Sequence, residues 1–195
     1  CISSRDLDTP IDFKSLASIG SMMGSGGMLV LDDTDCMVDI AKFFLDFSVD
    51  ESCGKCTPCR IGTKRMLEML DKITEGKGTL EDLDKLEETA KTVRTMSLCG
   101  LGKSAPLPVI STLELFRHEY EEHIVDGKCR AHVCSALKTF KIDPDKCKGC
   151  TKCARNCPVG AITGEKKEAH VIDTTKCIKC GACMEGCKFD AIYAE

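Results

Sequence analysis

Cysteines at short, repeated intervals are the residues of this chain best suited to chemistry. Two runs have the spacing C-x2-C-x2-C-x3-C. In such runs three thiolates bind one 4Fe–4S cube, and the fourth cysteine binds the cube held mainly by the other run. The spacing therefore predicts two cubes with crossed ligands, one held by Cys147, Cys150, Cys153 and Cys187 and the other by Cys177, Cys180, Cys183 and Cys157.

The two runs are copies of one another, 30 residues apart. Pro158 follows the fourth cysteine of the first copy, whereas Lys188 stands there in the second, and both copies end in Ala-Ile. These matching ends predict equivalent strands around a pseudo-twofold axis. Zinc knuckles or a disulfide framework would not explain four cysteines per copy. The stretch from about residue 140 to 195 resembles the two-cluster bacterial ferredoxins.

A third set of cysteines lies upstream, in ESCGKCTPCRIG and SLCGLG. Three closely spaced thiolates and one distant thiolate suit another 4Fe–4S cube, whose ligands are predicted to be Cys53, Cys56, Cys59 and Cys99. Thr57 is expected to cap a helix in which Pro58 takes the first position, and its amino end would favour a Cys59 thiolate. Gly100 and Gly102 would let the backbone approach the cube closely.

Apolar periodicity predicts four helices around this third set. The first two cover about 36–48 and 58–75, and the third opens at Thr79 in a capping box with Asp82. Ser104 and Pro106 are expected to open the fourth. Short loops between the helices favour an antiparallel bundle.

The fold class expected is α+β, namely a four-helix bundle with one cube followed by a two-cluster ferredoxin-like domain. A short β-rich remnant is expected at the amino end, because Gly-rich residues there lead into a short apolar segment. The predicted domains are this remnant at 1–35, the helical bundle at 36–123, a linker with a possible zinc site at 124–140, and the ferredoxin domain at 141–195.

Four of the sixteen cysteines, Cys1, Cys36, Cys129 and Cys134, are left over by the three cubes. Zinc prefers a closed tetrahedral set of Cys and His ligands. His123, Cys129 and Cys134 could supply three ligands and Cys36 a fourth, with His132 as an alternative. We expect a structural zinc that fastens the ferredoxin domain to the bundle; buried free thiols and a solvated histidine are the other interpretation.

The composition narrows the classes of function. The net charge is −4 and tryptophan is absent, so neither a basic stripe nor interleaved aromatics indicate nucleic-acid binding. The apolar runs are too short for a membrane segment, and no signal peptide is recognisable. Clustered thiolates indicate metal binding in a reducing compartment, and the expected location is the cytoplasm.

The upstream motifs resemble a known family. ESCGKCTPCRIG and SLCGLG, after MMGSGGMLVLDD, are similar to the carboxyl-terminal part of the NADH-binding flavoprotein subunit of respiratory complex I. With its ferredoxin tail, the chain looks like the corresponding subunit of multimeric NAD(P)-linked FeFe hydrogenases, including electron-bifurcating ones. The resemblance implies that the upstream cube takes electrons from a flavin reduced by NADH. FMN and NAD(P) sites are expected only before Cys1.

The resemblance implies a function in electron transfer. The chain would relay electrons among the flavin, partner clusters and ferredoxin as part of an NAD(P)-dependent hydrogenase, without a substrate site of its own. Its expected partners are a hydrogenase catalytic subunit, a small 2Fe–2S subunit and soluble ferredoxin. The alternatives are an NAD(P)-linked formate dehydrogenase subunit and a zinc-binding structural module. An independent iron–sulfur enzyme is disfavoured, because four cysteines per cube leave no open iron.

Overall fold

The computed structural model describes residues 1–24 and 26–194. The chain divides into two compact units, Cys1–Ala131 and His132–Glu195. Among the described residues, the first unit is built from helices, and every strand lies in the second unit. The expected α+β combination of a helix-rich part and a part with short strands is therefore confirmed.

Helices lie in each of the four predicted regions of the first unit. Their bounds are α1 (Phe13–Ser18), α2 (Met37–Asp50), a π-helical segment (Pro58–Thr63) that continues into α3 (Lys64–Thr74), α4 (Leu80–Met96), α5 (Gly100–Ser104), α6 (Leu107–Glu121) and a second π-helical segment (Glu122–Asp126). Short α5, which ends at Ser104, was not predicted. None of the helices in the described residues is long and apolar enough to cross a membrane.

The core of the first unit lies where α2 packs against α3 and α6, and where α4 packs against α6. Leu45, Leu70, Leu86 and Val109 have no exposed surface. Each such side chain contributes about 1.5–3 kcal/mol relative to an exposed position. Many residues of the predicted apolar stripes therefore belong to the core, whereas Phe44, Ile61 and Leu80 are exposed.

Three predictions about helix starts had different outcomes. The capping box at α4 is confirmed: the Asp82 N–H donates to Thr79 Oγ1, and the Thr79 N–H donates to Asp82 Oδ2, both at 3.1 Å. Pro58 opens the first π-helical segment as predicted. The predicted Thr57 cap is wrong, because its side chain makes no capping bond with the described residues. Thr57 already has helical dihedrals, φ −59° and ψ −44°, and so is not the extended residue that a cap requires.

The expected β-rich remnant at 1–35 is also wrong for the described part of that segment, which contains no strand. A 3-10 turn (Ser4–Asp6) precedes α1, whose amino end is capped by Asp12. Met28 and Val30 are 76% and 79% exposed. A strand needs a neighbour to pair its N–H and C=O groups, and the described residues of the first unit offer none.

The second unit follows the 30-residue repeat. Its elements are a 3-10 turn (Ser135–Leu137), β1 (Phe140–Ile142), α7 (Lys152–Asn156), β2 (Ile162–Thr163), β3 (Val171–Ile172), α8 (Ala182–Glu185) and β4 (Ile192–Ala194). β1 pairs antiparallel with β4, and β2 pairs antiparallel with β3. Each sheet therefore joins one strand from each copy, and both Ala-Ile ends lead into strands.

The repeat extends to single hydrogen bonds. Asp143 donates its N–H to the Ala191 carbonyl at 2.7 Å, and Asp173 donates to the Ala161 carbonyl at the same distance. The core is small and consists of Phe140, Ile162, Ile172, Cys183 and Ile192, with further cysteines packed against it. Cysteines thus take up positions that larger apolar side chains would fill in an ordinary domain.

The capping box provides a test of the first unit. We expect Thr79→Ala to lower the free energy of unfolding by about 0.5–2 kcal/mol, because the Asp82 amide hydrogen at the start of α4 loses its side-chain partner. Thr57→Ala is the matched control and should have a smaller effect. Urea unfolding followed by circular dichroism measures both, and equal losses in the two variants would contradict this account of helix capping.

Candidate metal centres

The loop with Cys53, Cys56 and Cys59 is held by its own polar groups. Ser52 Oγ lies 3.3 Å from Cys59 Sγ, and the Gly54 N–H donates to Ser52 Oγ at 3.4 Å. Gly54 has a left-handed φ of +72°, which turns the chain between the first two cysteines. Arg60 Nη1 donates to the Gly54 carbonyl at 2.9 Å, and this bond fixes the turn against the helix start.

The loop with Cys99 lies against this first loop. The Leu98 N–H donates to Cys56 Sγ and lowers the pKa of that thiol, with a further contribution from the Cys59 N–H. A Cβ on Gly102 would lie 2.6 Å from Ser97 Oγ and 3.1 Å from Cys59 Cβ, so only glycine fits there. The prediction for Gly102 therefore has a physical basis. Gly100 differs, since an added Cβ would meet none of the described atoms within 4 Å.

Leu98, the residue before Cys99, therefore lies beside Cys56, and Gly102 in α5 lies beside Cys59. Amide hydrogens aimed at sulfur favour thiolates, the form that binds iron. Ser97 is 3% exposed, and its hydroxyl adds a smaller contribution that lowers the pKa of Cys56 through a side-chain hydrogen bond. A cube held by Cys53, Cys56, Cys59 and Cys99 would offer sulfur acceptors beside that hydroxyl.

In the second unit, the eight cysteines of the repeats line two cavities. One is lined by Cys157, Cys177, Cys180 and Cys183 together with Phe140. The other is lined by Cys147, Cys150, Cys153 and Cys187 together with His170. Each cavity therefore receives three cysteines from one copy and the fourth from the other copy.

Backbone N–H donors favour the thiolate form of a cysteine, whereas burial favours the neutral thiol. The Ala161 N–H donates to Cys157 Sγ at 3.2 Å, and the Lys179 N–H donates to Cys177 Sγ at 3.4 Å. Burial raises the pKa of Cys153 and of Cys183, which line opposite cavities. A coordinating metal removes the thiol proton outright, so buried thiols remain suitable ligands.

A third arrangement lies within the first unit and has a different geometry. The ligand atoms of Cys36, His123 and Cys129 lie within 4.8 Å of one another, and all three residues are buried. Cys36 is the amino-terminal cap residue of α2, and its Sγ lies 3.3 Å from His123 Nε2. Gly127, at φ +61°, ends the second π-helical segment just before Cys129.

His123 has the hydrogen bonding of a metal ligand. Its Nδ1 lies 2.7 Å from the Glu119 carbonyl oxygen, so Nδ1–H donates there and Nε2 faces the thiols. Burial would lower the pKa of His123, but hydrogen bonds with Cys129 and Cys36 outweigh burial and raise the pKa to about 10. The two thiols and the imidazole therefore interact strongly within a closed site.

The predicted set has two further members, Cys134 and the alternative ligand His132. Cys134 belongs to the second unit, where it precedes the 3-10 turn at Ser135–Leu137 and is buried. His132, the alternative ligand, is exposed. Cys1 is also exposed, and its amino group donates to Ser111 Oγ at 2.9 Å.

Comparison with known proteins agrees with both units. Residues 39–123 match the NADH-ubiquinone oxidoreductase-F iron-sulfur binding region, and residues 139–188 match the 4Fe-4S dicluster domain. The NADP-reducing hydrogenase subunit HndC of Solidesulfovibrio fructosivorans is 59% identical over 98% of this chain. The F subunit of NADH-quinone oxidoreductase from Streptomyces coelicolor is 43% identical over 65% of this chain.

The chain is homologous to the carboxyl-terminal region of HndC and of the F subunit of complex I. It spans 39% of the length of HndC and 28% of that of the Streptomyces protein. Superposition on a chain of a solved NAD+-reducing NiFe hydrogenase covers 49% of this chain and 16% of the hydrogenase chain, with 38% sequence identity and a TM-score of 0.47. The relatives are subunits of oxidoreductases, and the predicted resemblance is confirmed.

Two polar residues near the cysteines were not predicted, namely Ser97 and His170. Ser97 carries no signal beyond its place two residues before Cys99. The sequence signal of His170 is clearer. It stands 30 residues after Phe140, so alignment of the two copies pairs an imidazole with a phenyl ring.

The glycines of α5 allow a test of the upstream centre. We expect Gly102→Ala to lose the iron of one cube, about four per chain, because the new methyl group would push against Ser97 and Cys59. Gly100→Ala is the matched control and should retain this iron. Iron per chain and visible absorbance measure the difference. Full iron content in both variants would refute the packing argument.

Proposed function

We propose that this chain is the electron-transfer part of an NAD(P)-linked flavoprotein subunit of a soluble, electron-bifurcating hydrogenase in the cytoplasm. Its three 4Fe–4S cubes would be held by Cys53, Cys56, Cys59 and Cys99, by Cys147, Cys150, Cys153 and Cys187, and by Cys177, Cys180, Cys183 and Cys157. The observation that carries the proposal is the pair of cavities, each lined by four cysteines, in the second unit.

Electron transfer suits these centres better than catalysis. Each cube would have a cysteine on every iron, which leaves no iron open to a substrate. The crossed pattern, in which Cys187 and Cys157 each line the other copy's cavity, would keep two cubes within one small unit. α7, which follows one cysteine loop, also packs against α8, which follows the other. Two adjacent redox centres are a basis for passing single electrons.

The proposed partners come from the relatives. The 59% identity with HndC over nearly the whole chain supports an NADP-reducing type of hydrogenase. We therefore propose that the upstream cube exchanges electrons with FMN in a nucleotide-binding domain, and that the other two serve soluble ferredoxin or a second branch. A hydrogenase catalytic subunit and a small 2Fe–2S subunit complete the proposed assembly.

Structural zinc is the second part of the proposal. Its ligands would be Cys36, His123 and Cys129, with Cys134 as the fourth. Support comes from the buried triad and from the Glu119 carbonyl, which orients His123 as an outer-shell partner orients a zinc ligand. Cys134 follows Cys129 by only five residues, a short reach for the chain.

Metal content tests the cubes. We expect the anaerobically reconstituted chain to bind about twelve irons and as much acid-labile sulfide. Dithionite reduction should produce paramagnetic signals, since each cube would accept one electron. Electron paramagnetic resonance and elemental analysis provide the measurement. A colourless protein that contains only zinc would contradict the proposal and favour a zinc-binding structural module.

Zinc is tested separately. We expect about one zinc per chain, and we expect Cys36→Ser to lose it because the triad loses a buried thiolate. Cys1→Ser is the matched control and should keep its zinc, since Cys1 is exposed. Mass spectrometry of protein with full iron occupancy measures both. Less than one zinc in the parent chain, with surplus iron removed, would end this part of the proposal.

A further inference from the structure

His170 carries a buried polar atom that faces a cysteine-lined cavity. The residue is 2% exposed and lines the cavity of Cys147, Cys150, Cys153 and Cys187. Its Nδ1 lies 3.1 Å from the Glu168 carbonyl oxygen, whereas Nε2 is buried without a hydrogen-bond partner among the described residues. Burying an imidazole nitrogen without a partner is costly, so the site requires one.

The imidazole ring is held firmly in place. A Cβ on Gly164 would lie 2.7 Å from His170 Cγ, so the backbone at Gly164 packs directly on the ring. The loop that leads to His170 also packs on the first cysteine loop, because the Lys167 N–H donates to the Gly149 carbonyl at 3.0 Å. An added Cβ on Gly149 would lie 2.4 Å from the Glu168 nitrogen. His170 is therefore positioned relative to the loop that carries Cys147 and Cys150.

The repeat provides an internal comparison. Phe140, 30 residues before His170, is 4% exposed and lines the cavity of Cys157, Cys177, Cys180 and Cys183. Phe140 begins β1, and His170 directly precedes β3. The two cavities thus have aromatic rings at equivalent positions. One ring is apolar and the other can donate a hydrogen bond.

We propose that His170 Nε2–H donates a hydrogen bond to a sulfur of the cube held by Cys147, Cys150, Cys153 and Cys187, and thereby holds the reduction potential of that cube above its neighbour's. This inference rests on the proposed function. Reduction adds negative charge to the cube, and a donor to its sulfurs stabilises the reduced form more than the oxidised form. His170 would then tune the reduction potential of the cube without binding its iron.

The difference between the two cavities specifies the test. His170→Phe gives the first cavity the ring that the second already has, and Phe140→His does the reverse. We expect His170→Phe to lower the equilibrium constant for reduction of one cube about tenfold, which is 59 mV for a one-electron couple. Phe140→His should raise the potential of the other cube. Redox titrations of the whole reconstituted chain, followed by electron paramagnetic resonance, measure both.

A second readout separates electronic tuning from packing. In protein labelled with 15N-histidine, pulsed electron paramagnetic resonance should detect a nitrogen coupled to the reduced cube, and this coupling should vanish in His170→Phe. His170→Gln keeps an N–H donor and should recover part of the potential. Unchanged potentials in His170→Phe with full iron content would overturn the inference, as would a coupling that survives in this variant.

If His170→Phe fails to bind the cube, its potential cannot be compared. The potential of Phe140→His and the 15N coupling in the parent chain then decide. A raised potential in Phe140→His together with a coupled nitrogen in the parent supports the inference, and the absence of either overturns it. A parent chain without iron–sulfur signals contradicts the proposed function itself. That outcome is distinct from a parent with three reducible cubes whose potentials do not respond to His170.

Discussion

Convergence of thiols from distant parts of the chain is the constraint on which the second unit depends. Its apolar core consists of a few side chains around Phe140 and Ile192, and cysteines occupy much of the remaining interior. Domains below about 70–80 residues rarely obtain more than about 3–5 kcal/mol from such a core, and many rely on metals or disulfides. Bound metal would therefore be part of the folding energy of this unit. The short strands set the register of the two copies, but they are too short to stabilise the fold alone.

The first unit brings its cysteines together in a different way. Long helices build an ordinary apolar core, and the cysteine loops are attached at its edge. Here close packing of backbone, as at Gly102 against Cys59, brings the two loops together. The triad of Cys36, His123 and Cys129 shows a further contrast, because its ligand atoms converge closely enough for a single ion. One chain thus combines loops spaced for cubes with a compact set suited to one metal ion.

Much of this arrangement was predictable because it is local in sequence. Cysteine spacing, the Thr79–Asp82 capping box and the apolar stripes depend on residues within one or two turns of each other. Placing Cys36 near His123 required only the antiparallel direction of the helices. The family resemblance supplied the remaining functional context. One feature that failed depends on tertiary partners, namely the β-rich remnant expected at 1–35, whose apolar segment has no strand to pair with among the described residues of the first unit.

Other features could not be read from propensities. Thr57 looks like a cap in sequence, but the π-helical segment begins with helical dihedrals already at that residue. α5 is only five residues long, and packing of Gly102 on Ser97 accounts for it better than any periodic pattern. In the sequence His170 is marked only by its alignment with Phe140, and neither its burial nor the lack of a partner for Nε2 among the described residues can be inferred from that alignment.

The crossed placement of Cys157 and Cys187 has a consequence for biogenesis. Under the proposed ligand sets, neither copy of the repeat can complete a cube from its own cysteines. The ribosome must synthesise the chain as far as Cys183 before the cube that uses Cys157 can acquire four thiolates, and as far as Cys187 before the other downstream cube can. Maturation factors would therefore complete both cubes only after both copies have been synthesised, and a nascent chain halted between the copies would expose an incomplete, oxidation-sensitive thiol cluster.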